Sequence, residues 1–344
     1  MDLIPFSLDL ESPLSTAAGD ITARRGFLVR VFVDGHTGLG EATPLPGWTE
    51  SLDACETALN AVAERVETGA YDAATAALSK NPAAKHGLAL AIADARARAA
   101  GVPLYRHLGG EKRVERVPVN ATIGAGSLET TVDAAERAVA SGFRTLKLKV
   151  GTADVAADVA RVAAVRDAVG PDIELRADAN GAWDRRTARS ALDGFADADF
   201  ALVEQPLAPA DITGHATLRG GFVKIGLDES LAERSIEEVL AAEAADVLVL
   251  KPMALGGPQR TRAVAMQAKA AGVEPVVTTT IDAAVARTAA VHVAASIPDI
   301  GACGLATADL LASDVLDEDP APVVDGAVRV PQGKGNTGTA SMEE

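Results

Sequence analysis

Six charged residues set the chemistry open to this chain. The run "TLKLKV" (145–150) carries Lys147 and Lys149 one residue apart among apolar neighbours, and Asp178, Glu204, Asp228 and Lys251 follow in "IELRADA", "FALVEQP", "FVKIGLD" and "ADVLVLKP". Counted from Lys149, successive members lie 29, 26, 24 and 23 residues apart. If each ends a strand of a parallel barrel, all emerge at the same C-terminal rim, where barrel active sites sit. Three carboxylates converging there repel one another unless a cation neutralises them, and hard oxygen donors suit Mg²⁺ or Mn²⁺. Lys147 and Lys149, two apart in a strand, point to one face. One neutral lysine, its pKa lowered by burial, a neighbouring ammonium and a divalent ion, can act as a base. The ion would stabilise the enolate left when a proton departs beside a carboxylate.

The elements that must position these residues follow a regular beat from about residue 117. Apolar segments at 117–123, 145–150, 173–179, 200–206, 222–228, 245–252, 274–280 and 302–308 alternate with stretches of helical spacing such as "LETTVDAAERAVASG" and "DVAADVARVAAVRDAVG". Eight such units at roughly 25-residue spacing predict an α/β fold, a (β/α)₈-type barrel. Residues 1–112 read as a preceding α+β capping domain. "GFLVRVFVDGHTGLGEATPLP" alternates around Asp34-Gly35 as a hairpin does, and alanine-rich helices follow. The barrel is expected over 113–313. Residues 314–344 are expected to return to the cap, with "NTGTASMEE" frayed at the end.

Composition narrows the class. The 344 residues are 48% apolar, with no uninterrupted apolar run long enough to span a bilayer. The start, "MDLIPFSLDLESPL", lacks the basic stretch and apolar core of a secretory signal. Cys55 and Cys303 have no metal-ligand spacing and read as reduced packing residues of a cytoplasmic protein. A net charge of -16 argues against nucleic acid as a partner. Nine Lys stand against 23 Arg, and an acidic, lysine-poor surface suits concentrated salt, so a halophilic source is expected. His36, His86, His107, His215 and His292 lie outside the strand ends and read as surface or helix residues. The Gly-x-Gly of "GLGEA" sits in a hairpin and is no dinucleotide loop, and Trp183 is read as packing.

The motifs "KLK", "RADANGAW", "VEQP", "LDES" and "LKP", with "GLGEATPLPGWTES" and "GVPLYRHLGG" in the cap, resemble the enolase superfamily over nearly the whole chain. The resemblance implies that Asp178, Glu204 and Asp228 bind Mg²⁺ (or Mn²⁺) and that Lys149 is the base, with Lys147 its neighbour. It places Lys251 on the opposite face of the substrate and Asn180 and Glu229 behind the ligands. The seventh strand, "VVTTTIDAA", lacks the His of mandelate-racemase-like members, so the pattern is similar to the muconate-lactonizing subgroup. Within it, "ATPLPGWTES" and "RADANGAW" look most like the o-succinylbenzoate synthases, and "GLATADLL" lacks the Asp-x-Asp of dipeptide epimerases.

That resemblance implies a small-molecule carboxylate substrate that loses water, held by Arg176, Trp48 and Thr280. N-succinylamino acid racemases share the motif set, and a muconate cycloisomerase is a further relative reading. A homo-oligomer is compatible with the sequence; a membrane or nucleic-acid partner is not expected. Outside the family stand a Schiff-base aldolase using Lys149 or Lys251 and a barrel without catalysis. Both leave three converging carboxylates unexplained.

Overall fold

The computed structural model describes residues 1–16 and 19–338. The cap contains β1 (Asp2–Thr16), β2 (Gly19–Val33), β3 (His36–Ala42), α1 (Leu52–Glu67), α2 (Tyr71–Ala77), α3 (Pro82–Ala99) and the short α4 (Leu104–His107). Its three strands form an antiparallel sheet, and Val33 pairs with His36 across the Asp34-Gly35 turn read from the sequence. Helix α3 lies very close to this sheet. A Cβ at Gly38 or Gly40 would sit 2.0 Å from the Ala91 or Gly87 carbonyl of α3, which is why "GLGEA" needs both glycines.

The second part runs β4 (Arg116–Pro118), β5 (Asn120–Ile123), α5 (Leu128–Ala140), β6 (Thr145–Lys149), α6 (Val155–Val169), β7 (Glu174–Asp178) and α7 (Arg185–Asp197). It continues with β8 (Phe200–Glu204), α8 (Ile212–Leu218), β9 (Lys224–Leu227), α9 (Ser230–Glu233), α10 (Ile236–Ala241), β10 (Val247–Leu250), α11 (Pro252–Leu255), α12 (Pro258–Ala270), β11 (Glu274–Val277) and α13 (Ala284–Ala295). Strands β5 to β11 form one parallel sheet in sequence order. The segment 302–308 closes it, bridging Val119 through Cys303 and Thr278 through Gly304. Short polar side chains start the helices: Ser127, Asp154, Asp184 and Ser235 each accept the N–H three residues on, a device contributing about 1 kcal/mol. Leu146 and Leu148 are fully buried on the helix side of β6, leaving Lys147 and Lys149 to the barrel's inner face.

The eighth unit departs from the repeat. After 302–308 the chain makes only a 3₁₀ turn at Ala308–Leu310 instead of a helix. It is drawn to the cap, where Leu311 bridges Leu10 and the Ala312 N–H donates to Asp9. The tail then serves both parts. Strands β12 (Val323–Val324) and β13 (Ala327–Arg329) add to β4 at the base of the barrel. Beyond them, the Asn336 N–H donates to Asp94 of α3 at 2.6 Å, its side-chain amide donates to the Val285 carbonyl, and its own carbonyl bonds His292 Nε2 at 2.7 Å. Residues 339–344 of the stretch expected to fray, and 17–18 of the first cap loop, lie outside the described residues. Among the described residues no helix is long and apolar enough to cross a membrane.

Candidate active site

Register brings the charged residues together. Lys149 pairs with Asp178 and Asp178 with Glu204, so three adjacent strand ends present them side by side. Asp228, just past β9, and Lys251, just past β10, continue the arc. All three carboxylates are buried, at 1%, 3% and 4% exposure. Lys147 Nζ donates to Asp178 at 3.1 Å and to Glu204 at 3.1 Å. Lys149 Nζ donates to Asp178 Oδ2 at 2.7 Å and Asn180 Oδ1 at 2.8 Å, and Lys251 Nζ donates to Asp228 Oδ2 at 2.6 Å. The Asn180 amide in turn donates to Glu229 Oε1 at 2.8 Å. Lys149 and Lys251 therefore approach the carboxylate arc from opposite ends.

Burial and charge act against each other here. Burial disfavours the Lys147 ammonium, but Asp178, Glu204 and Asp228 outweigh it and hold its pKa well above the usual lysine range. Burial also pushes Glu204 up to about 7, aided by Asp178, and Asp228 up to about 6 against the pull of Lys251. Asp178 is the exception: two lysines overcome its burial and hold it below the usual carboxylate range. Lys147 is thus a fixed charge under the site, while Lys149 stands further out at 32% side-chain exposure.

The donor set fits a hard divalent ion. Three carboxylates share the arc, and Asp228 Oδ1 and Glu229 Oε2 are buried with no hydrogen-bond partner among the described residues. As the side chains stand, no group of three acidic or histidine residues among the described ones is spaced to hold an ion. The ammonium groups of Lys147, Lys149 and Lys251 lie on the carboxylates instead and balance their charge.

Two residues expected to touch substrate are engaged elsewhere. Arg176 lies on the inner face below Asp178, but its Nε donates to Glu174 at 2.6 Å and its Nη1 to the Ala302 carbonyl at 2.8 Å. It braces the floor of the barrel against the closing segment rather than clamping an anion at the rim. Thr280 is 3% exposed, and its hydroxyl donates to Asp282. Trp48 does reach the site: its ring centroid lies 3.3 Å from Lys251 Nζ. Trp183 packs edge-on against Phe195.

Sequence reading missed the residues that hold this arc. Gln205 Oε1 accepts the Asp228 and Ser230 N–H groups, at 3.0 and 3.1 Å, and the buried His215 sits against Gln205 and accepts the Leu207 N–H. Arg161, 5% exposed, donates to the Lys149 carbonyl at 2.7 Å and to Asp158 at 2.6 Å. Asp158 also accepts the Gly151 N–H at 2.7 Å. An Asp and an Arg three apart in an Ala/Val-rich helix was the available signal. Glu41, fully buried, accepts the Ala283 and Ala286 N–H groups at the start of α13, and Arg24 ties the Thr43 and Pro44 carbonyls to that of Ile281. Ile281, β-branched, sits at φ 58°, a strained conformation costing about 1–3 kcal/mol that these contacts hold in place.

Fold and site together define a capped parallel-barrel enzyme whose rim combines three carboxylates with flanking lysines. Residues 130–342 match the model described as "Enolase C-terminal domain-like", and residues 1–95 match "MenC, N-terminal domain". The chain belongs to the enolase superfamily. It is 33% identical to L-Ala-D/L-Glu epimerase of Bacillus subtilis (strain 168), over 91% of this chain and 88% of that one. It is 42% identical to o-succinylbenzoate synthase of Thermobifida fusca (strain YX), over 61% of this chain and 65% of that one. The structure of a dipeptide epimerase from Enterococcus faecalis V583 complexed with Mg and the dipeptide L-Leu-L-Tyr superposes with a TM-score of 0.88, at 27% identity, covering 99% of this chain and 98% of that one.

Proposed function

We propose that this enzyme is a carbon–oxygen lyase of the o-succinylbenzoate synthase type. It would convert 2-succinyl-6-hydroxy-2,4-cyclohexadiene-1-carboxylate to 2-succinylbenzoate and water, a cytoplasmic step of menaquinone biosynthesis. The observation that carries the reading is the match of residues 1–95 to a MenC N-terminal domain. The placement of Lys149 and Lys251 at opposite ends of the carboxylate arc is compatible with it. Asp178, Glu204 and Asp228 would hold Mg²⁺ or Mn²⁺, which when bound supplies positive charge for the ring carboxylate and for the negative charge that develops on it.

In this reading Lys149 Nζ takes the proton from the ring carbon bearing the carboxylate. Lys251, fixed opposite, steadies the charge by electrostatics. The electron pair of the broken C–H bond then forms the third ring double bond as the neighbouring C–O bond breaks. Lys149 returns its proton to the departing hydroxide on the same face, and water leaves. Lys147 stays charged and sets the field beneath Lys149.

The same pair of lysines supports a second reading, racemisation of N-succinylamino acids, in which both would exchange protons with one carbon. Loss of the diene absorbance should be fast and deuterium exchange into N-succinylamino acids slow. Activity should vanish in chelator and return with Mg²⁺ or Mn²⁺. Efficient exchange without detectable dehydration replaces the lyase reading with the racemase one.

A further inference from the structure

The two lysines are held differently, and the difference bears on which reaction the site favours. Lys251 Nζ has the Trp48 ring on one side, 3.3 Å from its centroid, and the Asp228 carboxylate on another, at 2.6 Å. Lys149 has carboxylate and amide oxygens, and among the described residues no aromatic ring lies over it.

The loop carrying Trp48 is held by hydrogen bonds within the protein. The Trp48 and Thr49 N–H groups both donate to the Leu45 carbonyl, at 3.0 and 2.9 Å, and the Leu45 N–H donates to Thr49 Oγ1 at 2.8 Å. Glu50 accepts the Ala83 and Ala84 N–H groups at the start of α3, and Ser51 caps α1. Arg24 fastens the other end of the loop by the Thr43 and Pro44 carbonyls. The indole is thus a wall anchored on both sides.

We propose that Trp48 is a positioning residue that pins Lys251 Nζ and so biases the site toward elimination by one base and against racemisation by two. This rests on the lyase reading above. Elimination needs Lys251 only to hold its charge in place. Racemisation needs its Nζ to carry a proton to and from the substrate carbon, which means leaving both the ring and the carboxylate. A cation against an indole face, partly removed from water, is held by the ring quadrupole.

The test compares Trp48→Leu and Trp48→Phe with the unchanged enzyme in its Mg²⁺ form. The readout is the ratio of kcat/KM for dehydration to the rate of α-deuterium exchange in an N-succinylamino acid. Trp48→Leu should shift that ratio toward exchange at least tenfold, and Trp48→Phe, which keeps a ring, should restore most of it. A ratio unchanged within twofold in Trp48→Leu overturns the proposal. A second arm reads the contact itself, without substrate. Lys251→Met should alter the tryptophan emission, and the change should disappear when Trp48→Phe is also present. Emission indifferent to Lys251→Met overturns the proposal as well. If the unchanged enzyme exchanges but does not dehydrate, the lyase reading falls, while the emission arm still decides whether Trp48 holds Lys251.

Discussion

The two ends of the carboxylate arc are secured by different parts of the molecule. At the Lys149 end the hydrogen bonds among the described residues come from the barrel. Asp158 and Arg161 of α6 grip the Lys149 carbonyl and Gly151 N–H, and Asn180 links Nζ to Glu229. At the Lys251 end the cap contributes Trp48 from a loop that Arg24 and Glu41 fasten to the 281–286 region. Lys149, the base in the proposed reaction, therefore depends on its own βα unit, whereas Lys251 depends on the docking of cap and barrel. A proton-transferring group needs precise backbone placement. A group acting by charge needs a wall.

The largest break in this comparison comes from removing either lysine. Lys149→Ala should lose roughly 10²–10⁴-fold in kcat, the range for a general base. Lys251→Ala should lose a similar amount through missing electrostatic stabilisation. The sharper distinction is proton exchange: solvent deuterium should still enter the substrate carbon slowly in Lys251→Ala and not at all in Lys149→Ala. Equal exchange in the two variants would erase the difference in roles.

A smaller effect is expected from Arg161→Met. Misplacing a reacting group by about 1 Å can cost up to about 10²-fold, and the lost hydrogen bond to the Lys149 carbonyl allows a movement of that kind. We expect kcat to fall about tenfold while KM stays within about twofold, because Lys251 and Trp48 are untouched. Amide hydrogen exchange over 145–153 should quicken in the same variant. A rise in KM with unchanged kcat would detach α6 from the base.

The smallest effect belongs to pH and to the staple between cap and barrel. His292 stacks on Tyr105, accepts its N–H, and bonds Asn336, which reaches Asp94 of the cap. Complete burial lowers its pKa to about 4. The folded state thus refuses a proton that the unfolded chain accepts near the ordinary value of about 6.5. Stability from the neutral ring is fully present above that pH and is lost as pH falls through about 4, by an amount on the order of a few kcal/mol. Melting temperature should drop across this window, and His292→Gln should flatten the slope. A slope left unchanged by His292→Gln would separate acid sensitivity from the staple.

Much of this was legible in the sequence because it rests on local pattern. Strands buried on both faces read as short apolar runs, and a charged residue at the end of each run had to emerge at the barrel's C-terminal rim. Those rules alone placed Lys149, Asp178, Glu204, Asp228 and Lys251 in order, and motif resemblance gave the family. The tertiary structure decided what depends on partners far apart in the chain. Arg176 shares a face with Asp178, yet the Ala302 carbonyl, 126 positions on, turns it toward the floor. Trp48 meets a lysine about 200 positions away. The last helix of the repeat gives way to a turn because the chain is drawn to β1 instead. A side chain's face follows from the two-residue period of a strand. Which donor or acceptor it finds there is set by packing between elements that no local pattern encodes.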